Sequence, residues 1–280
     1  MPVFYLNGDF VPEEQAKVGV LDLGLLRGYG VFEFLRAYSG KFFLLDKHLE
    51  RFWNSARTVD LEPPLTKKKA KEILNKLLEK NEFGDAAVRM VLTGGTSPDG
   101  FTRPENGPNF FIIAQKLHRL PSDFYRQGVK LVTLEHERIY PRSKTLCYTK
   151  AFANHSRKDC SGAYEILYIK NGEIYEVSTG NFFLFKGDKL ITAREGVLLG
   201  LTREVVLELA RDSFEIEIRN LRVAELDDAD EAFITSTNKE VLPVVQIDKT
   251  IIGTGAPGPK TQQVIKMFKH FISLRVTYNV

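Results

Sequence analysis

Four two-residue turn signals, each set between apolar runs, constrain this chain more than any other feature. Asn7-Gly8, Ser39-Gly40, Asn171-Gly172 and Gly187-Asp188 separate VFYL from DFV, VFEFLRAY from FFLL, EILYIK from EIYEV and NFFLFK from KLITA. Residues of this kind reach the positive φ that tight turns demand, so each signal predicts two antiparallel strands joined by a short loop. A chain built from hairpins does not make a doubly wound parallel sheet, whose strands need helical crossovers. No GxGxxG or GxxxxGKS/T loop is present to suggest otherwise.

The helical signals fall between the hairpins. Apolar residues at Leu49, Phe52, Trp53 and Ala56 predict a helix capped by Asp46, and a second is predicted from about Thr66 to Lys80. Further helices are predicted over about Leu146–Asp159, from an N-cap at Thr202, and after Pro259. Strands are predicted at 86–92, at 109–115, over VKLVTLE and FEIEI, and on both sides of the turn between AFIT and VLPVVQI. The polar stretch His118–Gln127, which contains Pro121, marks the best boundary. The expectation is an α+β chain of two domains: a small N-terminal α/β domain over 1–118, a linker over 119–127 and a larger domain over 128–280. The last is strand-rich enough to close as a barrel.

Composition excludes several functions. With 43% hydrophobic and 27% charged residues and a net charge of +3 over 280 residues, the chain can bury a sizeable core and has no strong pull toward polyanions. The basic run Lys67, Lys68, Lys69 and Lys71 lacks aromatic interleaving and reads as a solvated helix face, so no nucleic-acid partner is expected. No apolar run approaches the ~18 residues of a membrane span, and the strand-like start MPVFYLNGDF is no signal peptide. Cys147 and Cys160 form no CxxC pair, which suits a reducing cytoplasm. The five histidines are scattered, so no metal site is expected. The absence of GxSxG argues against a serine nucleophile.

Four polar groupings stand where a plain core would not put them. GLTRE (200–204) opens a helix, and free amides with the helix dipole at such an end form an anion site. Thr235-Ser236-Thr237-Asn238 follows the apolar strand AFI, where small hydroxyl residues suit a phosphate-binding turn. EVSTGN (176–181) brings a glutamate out of a strand beside Ser, Thr and Gly. Arg51 closes HLERF within a helix whose other face is apolar. Each, alone, is also consistent with an ordinary cap, turn or surface arginine.

Their order and spacing resemble the class-IV aminotransferase family, which includes branched-chain and D-amino-acid aminotransferases and aminodeoxychorismate lyase. The resemblance runs through RGYGVFEFLR (27–36), HLERFWNSA (48–56), Lys144, NGEIYEVSTGNFFLF (171–185), GVLLGLTREVV (196–206), DEAFITSTNKEVLPV (230–244) and GPKTQQVIKMF (258–268). It implies a fold-type IV enzyme that binds pyridoxal 5′-phosphate (PLP) as its cofactor. It also implies a homodimer that acts on an amino acid and a 2-oxo acid.

Carried over position by position, the resemblance gives each grouping a role. Lys144 aligns with the lysine that holds the cofactor as a Schiff base and shuttles the proton, and Lys150 is its nearby competitor. Glu176 aligns with the carboxylate on the pyridine nitrogen, where it keeps the ring an electron sink. Arg51 aligns with the phosphate-binding arginine, whose planar fork suits phosphate oxygens. The amides of Leu201 and Thr202, with Ser236 and Thr237, align with the remaining phosphate ligands, and Ser178, Thr179 and Asn181 fall within the cofactor-binding block. On the substrate side, Phe32, Arg36, Arg89, Thr237 and Asn238 are the implied contacts. Phe32, Phe34 and Arg36 alternate and should share one strand face, either a cleft wall or plain core.

Some substrate-side positions depart from the subfamilies. Gly94 stands where D-amino-acid enzymes carry an arginine, and Phe32 where they have a tyrosine. Ala87, Arg27 and Phe34 stand where branched-chain enzymes carry tyrosine, tyrosine and glycine. The lyase's threonine near Glu33-Phe34 has no counterpart, and the tyrosine that bonds the cofactor's O3′ falls at Thr149, one residue from Tyr148. Branched-chain-like transamination is the leading expectation, with D-amino-acid transamination or aminodeoxychorismate lysis as alternatives.

Overall fold

A computed structural model describes residues 1–278, and the chain divides into two compact units. The first comprises Met1–His118 with Ser143–Cys147, and the second Arg119–Arg142 with Tyr148 onward.

The first unit contains β1 (Val3–Leu6), β2 (Asp9–Pro12), α1 (Leu23–Arg27), β3 (Gly30–Tyr38), β4 (Lys41–Phe42), α2 (Leu45–Thr58), α3 (Lys67–Asn81), β5 (Ala86–Thr93) and β6 (Asn109–Lys116). Its six strands form one sheet in the order β2-β1-β6-β5-β3-β4, with every pairing antiparallel. Asn7 at φ 48° and Gly8 at φ 120° make the first hairpin turn. Strand β3 shows why the sheet has two characters. Val31, Leu35 and Ala37 are buried in the core with Leu49, Phe52 and Ala56 of α2 and Leu74 and Leu77 of α3. Phe32 and Phe34, on the other phase of the pleat, stay half-buried outside it. Each large side chain taken fully out of water in this core, Phe52 among them, contributes about 2–3 kcal/mol.

The second unit contains α4 (Ser122–Gln127), β7 (Val129–Glu135), α5 (Thr149–Ala153), α6 (His155–Cys160), β8 (Glu165–Lys170), β9 (Glu173–Val177), β10 (Gly180–Lys186), β11 (Lys189–Thr192), α7 (Leu201–Ala210), β12 (Glu215–Ile218), β13 (Leu221–Arg222), β14 (Glu231–Ser236), β15 (Glu240–Ile247), β16 (Thr250–Ile251) and α8 (Pro259–Tyr278). The path β10-β14-β15-β7-β8-β9 returns to β10 through the pairs Gly180↔Val177 and Asn181↔Glu176. The sheet therefore closes on itself as a barrel. Its interior holds Leu131, Leu167, Val177, Phe182, Leu184, Ile234 and Leu242.

Four expectations need correction. Asp46 does not cap α2: Leu44, at φ 51°, is the N-cap, and Asp46 lies in the first turn, where its charge meets the helix dipole favourably. The helix expected over Leu146–Asp159 is two short ones, α5 and α6, broken at Asn154. Thr202 is the second residue of α7, and Gly200 is its N-cap. The domain division also shifts. Ser143–Cys147 belongs to the first unit because it pairs along β3: Phe32 N donates to Lys144 O at 2.9 Å and Leu146 N to Gly30 O at 3.0 Å. The expected linker 119–127 carries helix α4 and belongs to the second unit.

Candidate active site

The expected site residues fall into two groups, one in each unit. In the first unit, Lys144 is held by its backbone: its carbonyl accepts from Phe32 N, and its own N–H donates to Ser55 Oγ of α2 at 3.1 Å. Its side chain lies over the Phe32 ring, with Nζ 4.3 Å from the centroid. A cation on an aromatic face is held electrostatically. The Lys144 amine thus sits on the face of β3 that the core leaves open. The same face carries Phe34, with the Arg89 guanidinium 5.7 Å from its ring, and Arg36, stacked on Tyr38 at 4.3 Å. Phe34 and Arg89 are register partners across β3 and β5.

Arg51 lies behind this face on α2. It donates from Nε to Glu33 Oε2 at 2.9 Å and from Nη2 to Glu33 Oε1 at 2.7 Å, a bidentate pair with a fully buried carboxylate. His48 Nδ1 lies 3.1 Å from the same Oε1. An ionised carboxylate only accepts, so the proton of that bond sits on Nδ1. Burial would raise the Glu33 pKa, but the Arg51 charge and the two hydrogen-bonding partners outweigh it and hold the group well below the usual carboxylate range. Burial pushes His48 the other way, below its ordinary value, and the Glu33 bond only partly opposes this. His48 is therefore neutral, and its Nε2 is buried without a hydrogen-bond partner.

Sequence reasoning missed Glu33 and His48. A signal for Glu33 was available: it occupies the core phase of the alternation Val31, Glu33, Leu35, Ala37, where an unpaired charge is prohibitively costly. His48 lies three residues before Arg51, one helical turn away on the same face.

In the second unit, Glu176 leaves β9 buried, with 3% of its surface exposed. Arg138 Nη1 donates to its Oε1 at 2.8 Å, and Leu198 N and Asn181 Nδ2 donate to its Oε2 at 3.0 and 3.3 Å. Arg203 lies near enough for the Glu176 charge to stabilise its guanidinium, against burial and the repulsion of Arg142, which lower its pKa. Asn181 also donates to Leu198 O at 2.8 Å, so its amide group braces the 198–200 loop against Glu176. Arg138 and Arg203 were not singled out from the sequence, where nothing distinguishes them from other arginines.

Gly200, the N-cap of α7, has no side chain to turn back on the first-turn amides, and a Cβ there would meet Asn181 Oδ1 at 2.1 Å. The amides of Leu201 and Thr202 thus open the helix at a position where a side chain would displace the Asn181 amide group. Ser236 ends β14, and Thr237 and Asn238 make the turn into β15. The neighbouring Thr235 Oγ1 is buried without a hydrogen-bond partner. Ser178 Oγ and Thr179 Oγ1 donate to Glu165 Oε1 at 2.9 and 2.7 Å, so their hydroxyl protons go to that carboxylate. Each unit carries donors of the kind a phosphorylated aromatic cofactor needs: the first a bidentate-capable arginine and a lysine amine, the second an uncapped helix start, a hydroxyl turn and a fixed carboxylate. Among the described residues no group of three or more His, Cys, Asp or Glu could hold a metal ion, and no helix is long and apolar enough to cross a membrane.

Comparison with known proteins identifies the family. The family described as amino-transferase class IV matches residues 30–247. A putative branched-chain-amino-acid aminotransferase of Methanocaldococcus jannaschii is 34% identical over 275 residues, covering 95% of this chain and 94% of that protein. D-alanine aminotransferase of Staphylococcus haemolyticus is 29% identical over 283 residues, covering 98% and 99%. Among solved structures, a T.th. branched-chain amino acid aminotransferase complexed with N-(5′-phosphopyridoxyl)-L-glutamate superposes with a TM-score of 0.91 at 28% identity, covering 98% of this chain and 95% of that one. The chain belongs to the class IV aminotransferases, two-domain α+β enzymes that use pyridoxal 5′-phosphate.

Proposed function

We propose that the protein transfers the amino group of an apolar, branched-chain-like amino acid to a 2-oxo acid, with Lys144 as the amine that holds the cofactor covalently. The observation that carries this reading is the open face of β3, where the Lys144 amine lies on the Phe32 ring beside Phe34, with Arg36 further along the strand. An apolar wall next to the reactive amine, with a cation beyond it, suits a donor that has a hydrocarbon side chain and a carboxylate.

When bound, PLP supplies an electron sink that stabilises negative charge at the substrate Cα. The protein supplies the rest. Lys144, as the neutral amine, takes the Cα proton and returns it, and its backbone bonds to Phe32 and Ser55 fix where that amine stands. Glu176, held by Arg138, would supply the carboxylate for the pyridine nitrogen. Arg51, oriented by Glu33, would be the first unit's phosphate ligand; the amides of Leu201 and Thr202 with Ser236 and Thr237 would be the second unit's. In the first unit Arg36 and Arg89, and in the second the Thr237-Asn238 turn, would be the groups that take substrate carboxylates.

One observation weighs against D-amino-acid specificity. A Cβ at Gly94 would meet the Tyr29 ring at 2.4 Å, so the position where D-amino-acid enzymes place an arginine has no room for a side chain as the loop stands. The reading includes a homodimer. Leu25 of α1 and Phe101 are 69% and 79% exposed, and Arg27 of α1 stacks on Phe101 at 4.2 Å, so α1 and the segment carrying Phe101 present exposed apolar groups that suit a second copy. It also places the protein in the cytoplasm, where the exposed thiols of Cys147 and Cys160 stay reduced.

The test is a half-reaction screen of the PLP-loaded protein with L- and D-amino acids and aminodeoxychorismate, followed by absorbance. Conversion to the pyridoxamine form by L-leucine, L-isoleucine or L-valine is expected. Conversion by D-alanine alone would replace the donor assignment. Elimination from aminodeoxychorismate without any conversion would replace transamination by lysis.

A further inference from the structure

Lys239 stands two residues after Thr237, in the turn assigned above to the cofactor's phosphate, yet its ammonium is directed elsewhere. Nζ lies 2.6 Å from Glu165 Oε2, and both side chains are only 6% exposed. The same ammonium donates to Thr179 Oγ1 and, at 3.4 Å, to Thr179 O. Glu165, at the start of β8, accepts at its other oxygen from Ser178 Oγ, Thr179 N and Thr179 Oγ1 at 2.9, 2.6 and 2.7 Å. The backbone of Lys239 is tied as well: its N–H donates to Ser236 Oγ at 3.3 Å and its carbonyl accepts from Tyr125 OH at 2.9 Å.

One buried ion pair therefore joins two turns. The first, Ser178–Thr179, follows directly on the strand that carries Glu176. The second, Ser236–Lys239, contains the hydroxyl residues assigned to the phosphate. The register pair Asn181↔Thr235 sets these segments side by side, and Gly180 packs so closely that a Cβ there would meet Thr235 O at 2.3 Å. A buried ion pair that is fully hydrogen-bonded adds little net stability compared with apolar residues of the same size, but it fixes geometry. A turn held in its binding conformation spares the ligand the cost of ordering it.

We propose that Lys239 and Glu165 are positioning residues: their ion pair acts as a strut that sets the spacing of the two turns, so that Ser236 and Thr237 meet the cofactor's phosphate already in place. This rests on the reading that Ser236 and Thr237 hold that phosphate. The strut differs from the obvious alternative, in which Lys239 touches the phosphate itself, because the strut needs Glu165 as much as Lys239.

The experiment compares PLP affinity among four proteins, read by absorbance as PLP is added back to apo-protein. Wild type, Lys239→Met, Glu165→Gln and Lys239→Met/Glu165→Leu are compared, with thermal melting of each. Each single variant should bind PLP roughly ten-fold more weakly, and the double variant no more weakly than either single one. The double variant has no unpaired buried charge, so it should melt near the wild-type temperature while still binding weakly. Glu165→Gln binding within two-fold of wild type, or tighter, would overturn the strut and favour Lys239 as a direct phosphate ligand. A double variant that melts and binds like wild type would also overturn it. If a single variant fails to fold, Thr179→Val cuts the strut's hydroxyl link with both charges kept: weaker PLP binding supports the strut, and unchanged binding overturns it. A wild type that forms no covalent adduct with PLP removes the functional reading itself, a failure separate from the strut's.

Discussion

The two units handle buried charge differently. In the first, the buried carboxylate of Glu33 is met by the Arg51 guanidinium and a neutral His48, while Lys144, Arg36 and Arg89 add further cations on or near the open face of β3. In the second, two buried carboxylates each have their own cation: Glu176 has Arg138 and Glu165 has Lys239. The first unit thus gathers several cations and the Lys144 amine about one buried carboxylate. The second offers two buried ion pairs, a helix start and hydroxyls, groups whose fixed dipoles can orient an anion. The contrast separates two kinds of tuning. A substitution in the first unit changes how much charge a ligand meets, whereas one in the second changes where fixed dipoles point.

Glu176→Gln should have the greatest consequence. It keeps the shape but removes the charge held by Arg138, and turnover should fall by roughly 10²-fold, the scale of one lost preorganised electrostatic contact. Steady-state kinetics at saturating PLP measures it, and a change below three-fold would separate Glu176 from the chemistry.

Next in size is Glu33→Gln. It leaves Arg51 without its carboxylate in a site where Glu33 is 0% exposed, and should cost about 3–5 kcal/mol of stability, read from denaturant unfolding. A cost near zero would show that solvent reaches this pair. That would undo the contrast between the units.

The response to pH is the mildest of the three. Glu33 and Glu165 both have folded-state pKa values depressed below the ordinary 4.5, despite burial, by Arg51 with His48 and by Lys239 with the Ser178 and Thr179 bonds. A depressed carboxylate contributes stability that is fully present above its unfolded value and is lost as pH falls through the folded one. The unfolding midpoint should therefore be insensitive to these groups at neutral pH and fall steadily below about pH 4.5. The Lys239→Met/Glu165→Leu variant should show a shallower acid slope, and an unchanged slope would mean that the second unit's pair does not titrate on unfolding.

Much of the fold was legible because hairpin turns and pleat alternation are local signals. Asn171-Gly172 and the runs on either side became β8 and β9, and the apolar face of KKKAKEILNKLLEKN became α3 with Thr66 as its cap. The failures came where tertiary contacts overrode local pattern. Leu44 starts α2 at positive φ although Asp46 is the better cap by type, and Asn154 breaks the helix expected over Leu146–Asp159. The membership of Ser143–Cys147 rests on backbone pairing with β3, more than a hundred residues away, which no local pattern encodes. The site divided likewise. Lys144, Arg51 and Glu176, the residues proposed for the site, were picked out through motif order, whereas Glu33 and Arg138, which bond Arg51 and Glu176, and Lys239 with Glu165, belong to networks that exist only once distant strands meet.

The functional reading stands or falls on Lys144 as the residue that carries the cofactor, and borohydride reduction of the PLP-loaded protein followed by peptide mapping decides it. A phosphopyridoxyl group is expected on Lys144, and none in Lys144→Ala. The group on Lys150, or no reducible adduct at all, would refute the assignment.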